Sequence, residues 1–236
     1  GRAAVALCDV SGAVEVVARK TKMALLEGGF HHASAGAARV RLVVHCAGAI
    51  KDELLRDVTQ ASVETVTAVK IGGTLNLLRC FPTATFIAFS SSSAALGVAG
   101  QTTYAAANAF MDELLHGPLA VALNRYKALP GCEPSATAAR SRSHCSGRPR
   151  RVSVQWGGWG EVGMVVEHDI APLPGERFHT VAQGLGFIAT LLPPSALSRI
   201  ETENRVEAAV PPMVLDVDWP AYIKNESVFT SGQLGG

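Results

Sequence analysis

The chain has 236 residues, 48% of them hydrophobic, and a formal net charge of +1. That near-neutral balance gives no electrostatic basis for nucleic acid or an anionic membrane surface as the main partner. No apolar run approaches the ~20 residues of a membrane helix and no signal peptide is read at the start, so the expectation is a one-domain cytoplasmic enzyme able to bury roughly 70% of its unfolded surface.

Residues 3–10 (AAVALCDV) read as a short apolar strand ending at Asp9 and Val10, with Ser11 as the cap of a helix over 13–26. His31 and His32 fall in a solvated loop without a carboxylate or cysteine at ligand spacing, so no metal site is expected. Residues 42–45 read as the next strand, and Ala47 and Gly48 as a tight turn of small residues where the backbone could approach a ligand. The five cysteines (Cys8, Cys46, Cys80, Cys132, Cys145) lack CxxC spacing; three of them read as buried thiols of a reducing compartment, and Cys46 as an inert cysteine in a turn. Residues 63–80 carry Val63, Val66, Val69, Leu75 and Leu78 near helical spacing. Gly72 and Gly73 inside that helix cost about 1 kcal/mol each relative to Ala, which points to a close backbone approach.

Residues 86–111 are the stretch on which the chemistry depends. Phe86 to Phe89 read as a buried strand, the serine run Ser90 to Ser93 lies at its carboxyl end, and a loop through Gly97 and Gly100 leads to a helix opening near Thr103. In open α/β sheets ligands sit outside the carboxyl ends of strands. Tyr104 and Asn108, four apart, share one helix face. An alcohol at Ser91 could donate to a carbonyl while Tyr104 gives it a proton, and a nearby ammonium, for which Lys70 is the candidate, would lower a phenol pKa that is otherwise near 10. Such a site supplies no hydride, so a nicotinamide cofactor is required.

Beyond Asp112 the helix is read as continuing toward Tyr126, interrupted at His116-Gly117-Pro118. Residues 129–151, rich in Ser, Arg, Pro and Gly, read as an exposed, disordered insertion; its basic run could meet an acidic carrier protein or RNA, with a solvated loop as the plainer reading. Residues 152–156 form another strand, left by Gly157-Gly158-Trp159-Gly160. Residues 164–174 read as a mobile polar-apolar mixture, 177–192 as a helix, and 213–219 as a final strand before a tail that frays after residue 224.

Five segments in order, at 41–55 (RLVVHCAGAIKDELL), 68–77 (AVKIGGTLNL), 89–114 (FSSSSAALGVAGQTTYAAANAFMDEL), 152–164 (VSVQWGGWGEVGM) and 214–219 (VLDVDW), resemble the ketoreductase domains of polyketide synthases and animal-type fatty acid synthases, within the short-chain dehydrogenase/reductase superfamily. The resemblance implies an α/β, Rossmann-like doubly wound parallel sheet over residues 1–224 and NADPH-dependent reduction of a β-ketoacyl thioester carried on an acyl carrier protein, with neighbouring synthase domains as partners. It implies catalytic positions at Ser91, Tyr104, Lys70 and Asn108; Asn108 stands where ordinary short-chain dehydrogenases carry their lysine. By the same resemblance Asp9 and Val10 border the adenine, and Ala47, Gly48, Trp156, Gly157 and Gly158 join Tyr104 around the cofactor. Asp52, Leu96, Gln101, Trp159 and Met164 fall at substrate and stereochemical positions. Asp52 holds the last place of a Leu-Asp-Asp motif whose first Asp is Lys51 here, and Leu96 stands where the opposite class has Trp, which implies a D-configured product.

No GxGxxG or TGGxGxxG occurs in the sequence, so no cradle for the cofactor pyrophosphate is read. The expectation is a chain that begins two strands and one helix into the domain, without the first βαβ, and that binds NADPH weakly by itself. Other readings are a discrete dehydrogenase of small carbonyl compounds and a non-catalytic scaffold. A serine hydrolase is disfavoured because the GxSxG elbow is absent.

Overall fold

The computed structural model of the chain describes residues 8–27, 40–117, 150–192, 211–222 and 224. The expectations for residues 3–7, for His31, His32, Cys132 and Cys145, for 118–149 and for the tail lie outside those residues. The chain divides into two compact units, residues 1–154 with 209–211 and residues 155–208 with 212–236.

The first unit holds α1 (Val14–Glu27), β1 (Leu42–His45), α2 (Gln60–Thr67), a π turn (Ala68–Gly72), α3 (Gly73–Cys80), β2 (Thr85–Ser91), α4 (Ser93–Leu96), α5 (Thr102–His116) and the start of β3 (Arg151–Trp156). The second holds the end of β3, α6 (Met164–Glu167), β4 (Glu176–Arg177), α7 (Val181–Leu191), β5 (Met213–Val214) and β6 (Asp216–Val217). The architecture is α/β, with a sheet in the order β1-β2-β3-β5; β1 and β2 pair in parallel, as do β3 and β5.

Alternation sets the core of the first unit. In β1 Val43 and His45 turn inward, while Leu42 and Val44 stay exposed. Val43 pairs with Phe86, and Phe86 and Ala88 pack with Met111 and Leu115 of α5. Phe86 is fully buried, so truncating it to Ala would cost about 3–5 kcal/mol.

A buried polar bridge ties α5 to β3. The Ser153 hydroxyl donates to Asp112 Oδ1 at 2.6 Å, and the Ser153 backbone N–H donates to His116 Nε2 at 2.9 Å. These are the residue types of a hydrolytic triad, but the imidazole meets the serine backbone and not its hydroxyl. The bridge satisfies groups that would each cost about 1–3 kcal/mol if left unpaired.

Local chemistry explains where several boundaries depart from expectation. Cys8 to Val10 are not strand; the Asp9 carboxylate accepts from the Ser11 backbone N–H at 2.9 Å and from its hydroxyl at 2.6 Å, so Asp9 organises Ser11 and the helix starts at Val14. The 63–80 helix begins at Gln60 behind an N-cap at Thr59 and is divided by the π turn. The insertion stops short of 151: the Arg150 carbonyl accepts from the Phe86 N–H, and Arg151 opens β3. The expected helix over 177–192 starts at Val181, where Thr180 and Gln183 form a capping box. Arg177 lies in β4, where it pairs with Asp216 of β6. The strand expected over 213–219 is therefore two strands serving different sheets. Cys8 and Cys80 are half-buried and Cys46 is exposed, so none of the three described cysteines is fully buried.

Candidate active site

Lys70 reaches the interior through a helical irregularity. Between α2 and α3 the backbone widens into a π turn, a form found mostly as single turns at functional sites. The Gly73 N–H bonds the Ala68 carbonyl five residues back. The Lys70 carbonyl accepts from the Thr74 hydroxyl at 2.6 Å, and Thr74 is fully buried. Gly73 sits in a tight space next to it: a Cβ there would lie 3.0 Å from Val10 Cγ2 and 3.2 Å from His45 Cε1. Gly72 has open space and meets no such constraint.

The Lys70 side chain is 2% exposed. Its Nζ donates to the Phe89 carbonyl at 2.7 Å and lies over the Tyr104 ring, 5.4 Å from the centroid. Burial pushes its pKa down to about 8, with the Cys46 and Asp112 charges opposing. Tyr104 is buried on α5, and burial holds its phenol above the ordinary value; the Asn108 side chain opposes this and the Asp52 charge adds to it. The expectation of an acidified phenol is thus reversed. The ammonium addresses the ring face and a strand carbonyl, and loss of solvent is the largest influence on the phenol.

Ser91 ends β2, two residues beyond Phe89. Its oxygen accepts from the Ser93 hydroxyl at 3.0 Å and from the Ser93 N–H at 3.2 Å, which leaves its own O–H hydrogen available to an incoming acceptor. No hydrogen bond joins Ser91 to Tyr104 among the described residues. Asn108 Nδ2 donates to the Tyr104 carbonyl at 2.9 Å, while Asn108 Oδ1 is buried without a partner among the described residues. A carbonyl in that position fits a buried water.

Two loops frame this group. Gln101 Nε2 donates to Asp52 Oδ2 at 3.2 Å, and the Glu53 N–H donates to the Gly100 carbonyl at 2.9 Å. Gly97 and Gly100 have φ of +73° and +80°, conformations that other residues rarely adopt. Leu96, at the end of α4, is exposed.

The residues expected around a cofactor are placed unevenly. Ala47 and Gly48 follow β1 as an exposed stretch with no hydrogen-bonded turn, contrary to expectation. Asp9 is exposed, and its Oδ1 accepts both bonds from Ser11. Sequence reasoning passed over Asn76, which is buried and donates from Nδ2 to the Val10 carbonyl at 2.9 Å and the Gly12 carbonyl at 2.8 Å, fixing the turn beside Asp9. An amide inside an apolar helix was the available signal. His45 was also missed: 2% exposed and held neutral by burial, with a pKa near 4, it borders Gly73.

The remaining expected residues belong to the second unit. Trp156 is buried, edge-on to Trp159 at 5.0 Å and to Phe187 at 5.6 Å. Packing inside this unit accounts for the glycines there: a Cβ at Gly158 would run into the Phe178 ring, and one at Gly157 would lie 3.0 Å from Leu215 Cδ2. Met164 opens α6 and is half-buried.

The KR domain family model matches residues 6–124. The chain belongs to the KR domain family. That places it among the ketoreductase domains of polyketide synthases in the short-chain dehydrogenase/reductase superfamily. A stretch of 155 residues, 64% of the chain, is 34% identical to the 6-methylsalicylic acid synthase of Aspergillus terreus and covers 7% of it. A stretch of 192 residues, 80% of the chain, is 28% identical to the cluster 41 polyketide synthase of Aspergillus flavus and covers 13% of that protein. The chain therefore spans a small part of these relatives. Among solved structures, the ketoreductase from the first module of phoslactomycin biosynthesis in a Streptomyces species superposes with a TM-score of 0.61 at 27% identity, over 95% of this chain and 41% of that one. No described helix of the KR domain is long and apolar enough to cross a membrane, and no described group of His, Cys, Asp and Glu could hold a metal ion.

Proposed function

We propose that this KR domain reduces a β-ketoacyl thioester, carried on an acyl carrier protein, to the β-hydroxyacyl thioester with NADPH, as one step of polyketide synthesis. The polyketide synthases it resembles favour the acyl-thioester substrate over a free small carbonyl compound. The observation that carries the reading is the Lys70 ammonium over the ring of a buried Tyr104.

When bound, the nicotinamide supplies the hydride. On the nicotinamide side the residues fit: a protonated phenol, a serine with a free O–H hydrogen and an exposed Ala47–Gly48 stretch. No residue is assigned to the pyrophosphate, because the sequence holds no glycine-rich loop. Ser91 gives its hydrogen to the substrate carbonyl and fixes its direction. Tyr104, kept protonated by its burial, transfers the phenolic proton to the alkoxide oxygen, a far stronger base. The Lys70 ammonium stabilises the phenolate left behind, and a water on Asn108 Oδ1 carries the replacement proton. Asp52 and Gln101 border the entrance and orient the acyl chain.

Tyr104→Phe tests this. Loss of about 10²–10⁴-fold in kcat, with an unchanged fold, is expected in reduction of a soluble β-ketoacyl thioester followed by nicotinamide absorbance. Turnover at the wild-type rate would remove Tyr104 from the chemistry.

A further inference from the structure

His45 closes β1 and turns the same way as Val43, which packs in the core with Met111 and Leu115 of α5. It is 2% exposed, and its Nε2 is buried without a hydrogen-bond partner among the described residues. A polar atom kept from water and left unpaired is costly, so a histidine at this position calls for a reason. The Cε1–Nε2 edge of the ring lies against Gly73, where a Cβ would come within 3.2 Å of Cε1 and 3.3 Å of Nε2, tighter than most carbon contacts. The Phe86 ring flanks the imidazole, 6.4 Å away between centroids. Gly73 is also the residue whose N–H closes the π turn. That N–H passes over the Val69 carbonyl, its ordinary partner four residues back, and bonds those of Ala68 and Lys70. The Val69 and Lys70 carbonyls are the backbone acceptors that face the imidazole. All of these residues belong to the first unit.

Resting on the catalytic reading above, we propose that His45 is a positioning residue of this reductase: its imidazole, wedged against Gly73 with the hydrogen on Nε2, steadies the carbonyl face opened by the π turn and so holds the Lys70 amine over the Tyr104 ring. Lys70 leaves the helix within one turn of Gly73, so the ladder at Gly73 sets the direction of its side chain. From there Nζ reaches the Phe89 carbonyl at 2.7 Å and the ring at 5.4 Å. A leucine at position 45 would fill the space but offer the Val69 carbonyl no donor. A lysine or arginine would set a second cation beside the ammonium. The neutral imidazole meets both demands, a small flat wedge with one N–H to give.

The first test needs no altered protein beyond an assignment. Long-range proton–nitrogen correlation of histidine-labelled wild type gives the His45 tautomer at neutral pH, with the signal assigned by its loss in His45→Gln. A hydrogen on Nε2 and a bare Nδ1 are expected; a bare Nε2 overturns the proposal, because it has nothing to donate. The second test separates polarity from volume. His45→Leu keeps the bulk and removes the donor, whereas His45→Gln keeps a donor. The gauge is the Lys70 Cε–Hε resonance, which the Tyr104 ring moves upfield and which is assigned by its loss in Lys70→Met. His45→Leu should lose most of that upfield shift and about tenfold in kcat, the worth of one hydrogen bond, with KM unchanged. His45→Gln should recover most of both. A wild-type Lys70 resonance in His45→Leu, or equal losses in the two variants, overturns the proposal. If His45→Leu does not fold, the tautomer decides. Neither resonance depends on turnover, so a failed Tyr104→Phe test leaves both readable and identifies which of the two readings is wrong.

Discussion

The Lys70 ammonium lies over the face of the Tyr104 ring, 5.4 Å from its centroid, and directs its hydrogen bond to the Phe89 carbonyl. The amine thus serves two elements at once, the helix that bears Tyr104 and the strand that bears Ser91. Burial raises the phenol's pKa and lowers the amine's, so at neutral pH the phenol is protonated, as the proposed reduction requires.

Lys70 makes stability depend on pH in a defined direction. Its folded pKa is about 8, against 10.5 for an unperturbed lysine. Below the folded value both folded and unfolded chains carry the proton, and the folded chain bears the full cost of the buried charge. Between the two values the unfolded chain holds more protons, so stability rises with pH by about 3 kcal/mol from this group alone. The stability difference between wild type and Lys70→Met should therefore change by about that amount, in favour of wild type, from pH 7 to 10.5. Urea unfolding of both proteins across the range checks it, and a constant difference contradicts it.

Asp52 raises the Tyr104 pKa by its charge. Asp52→Asn should lower the phenolate midpoint seen by ultraviolet absorbance, because a nearby negative charge no longer opposes ionisation. Gln101→Ala breaks the 3.2 Å bond to Asp52 but keeps the charge, and should not lower that midpoint. Equal downward shifts in the two variants would show that the bond, and not the charge, sets the pKa.

The adjacent glycines should behave oppositely. Gly73→Ala drives a methyl against Val10 and the His45 ring and should destabilise by about 1–3 kcal/mol. Gly72→Ala meets nothing within 4 Å and gains helix propensity, so it should be neutral or stabilising by up to about 1 kcal/mol. Thermal melts of the two variants side by side decide the matter.

Asn76→Ala removes both hydrogen bonds to the Val10 and Gly12 carbonyls. A loss of about 1–3 kcal/mol is expected. Hydrogen exchange should quicken at the Gly12 amide, which donates to the Asp9 carbonyl at 3.3 Å in the same turn. Unchanged exchange there would mean that α1 holds the turn unaided.

Much of the fold was legible because periodicity is local. Leu42–His45 was read to the residue, and Thr85–Ser91 and Arg151–Trp156 nearly so, since apolar runs between polar turns mark buried strands. The resemblance brought Lys70, Ser91, Tyr104 and Asn108 to notice, and the first unit places all four on adjoining elements. What escaped depends on contacts distant in sequence. Asn76 works on carbonyls more than sixty positions away, and the π turn comes from a rearranged hydrogen-bond ladder that no residue type announces. The phenol pKa was misjudged because proximity to an amine is suggested by spacing, whereas the extent of solvent loss is a property of the assembled interior. Residues 213–219 read as one strand because apolar content alone cannot show that Leu215 separates pairings with two different partners.

The widened turn at Ala68–Gly72 has a bearing on how such a chain tolerates insertion and deletion. One residue fewer there would restore an unbroken α-helical ladder, a change that local hydrogen bonding favours. It would also rotate everything upstream by about 100° relative to α3, carrying the amine away from the phenol while every residue of the reactive set stayed in the sequence. A homologue so shortened would look competent by motif and yet be silent in reduction.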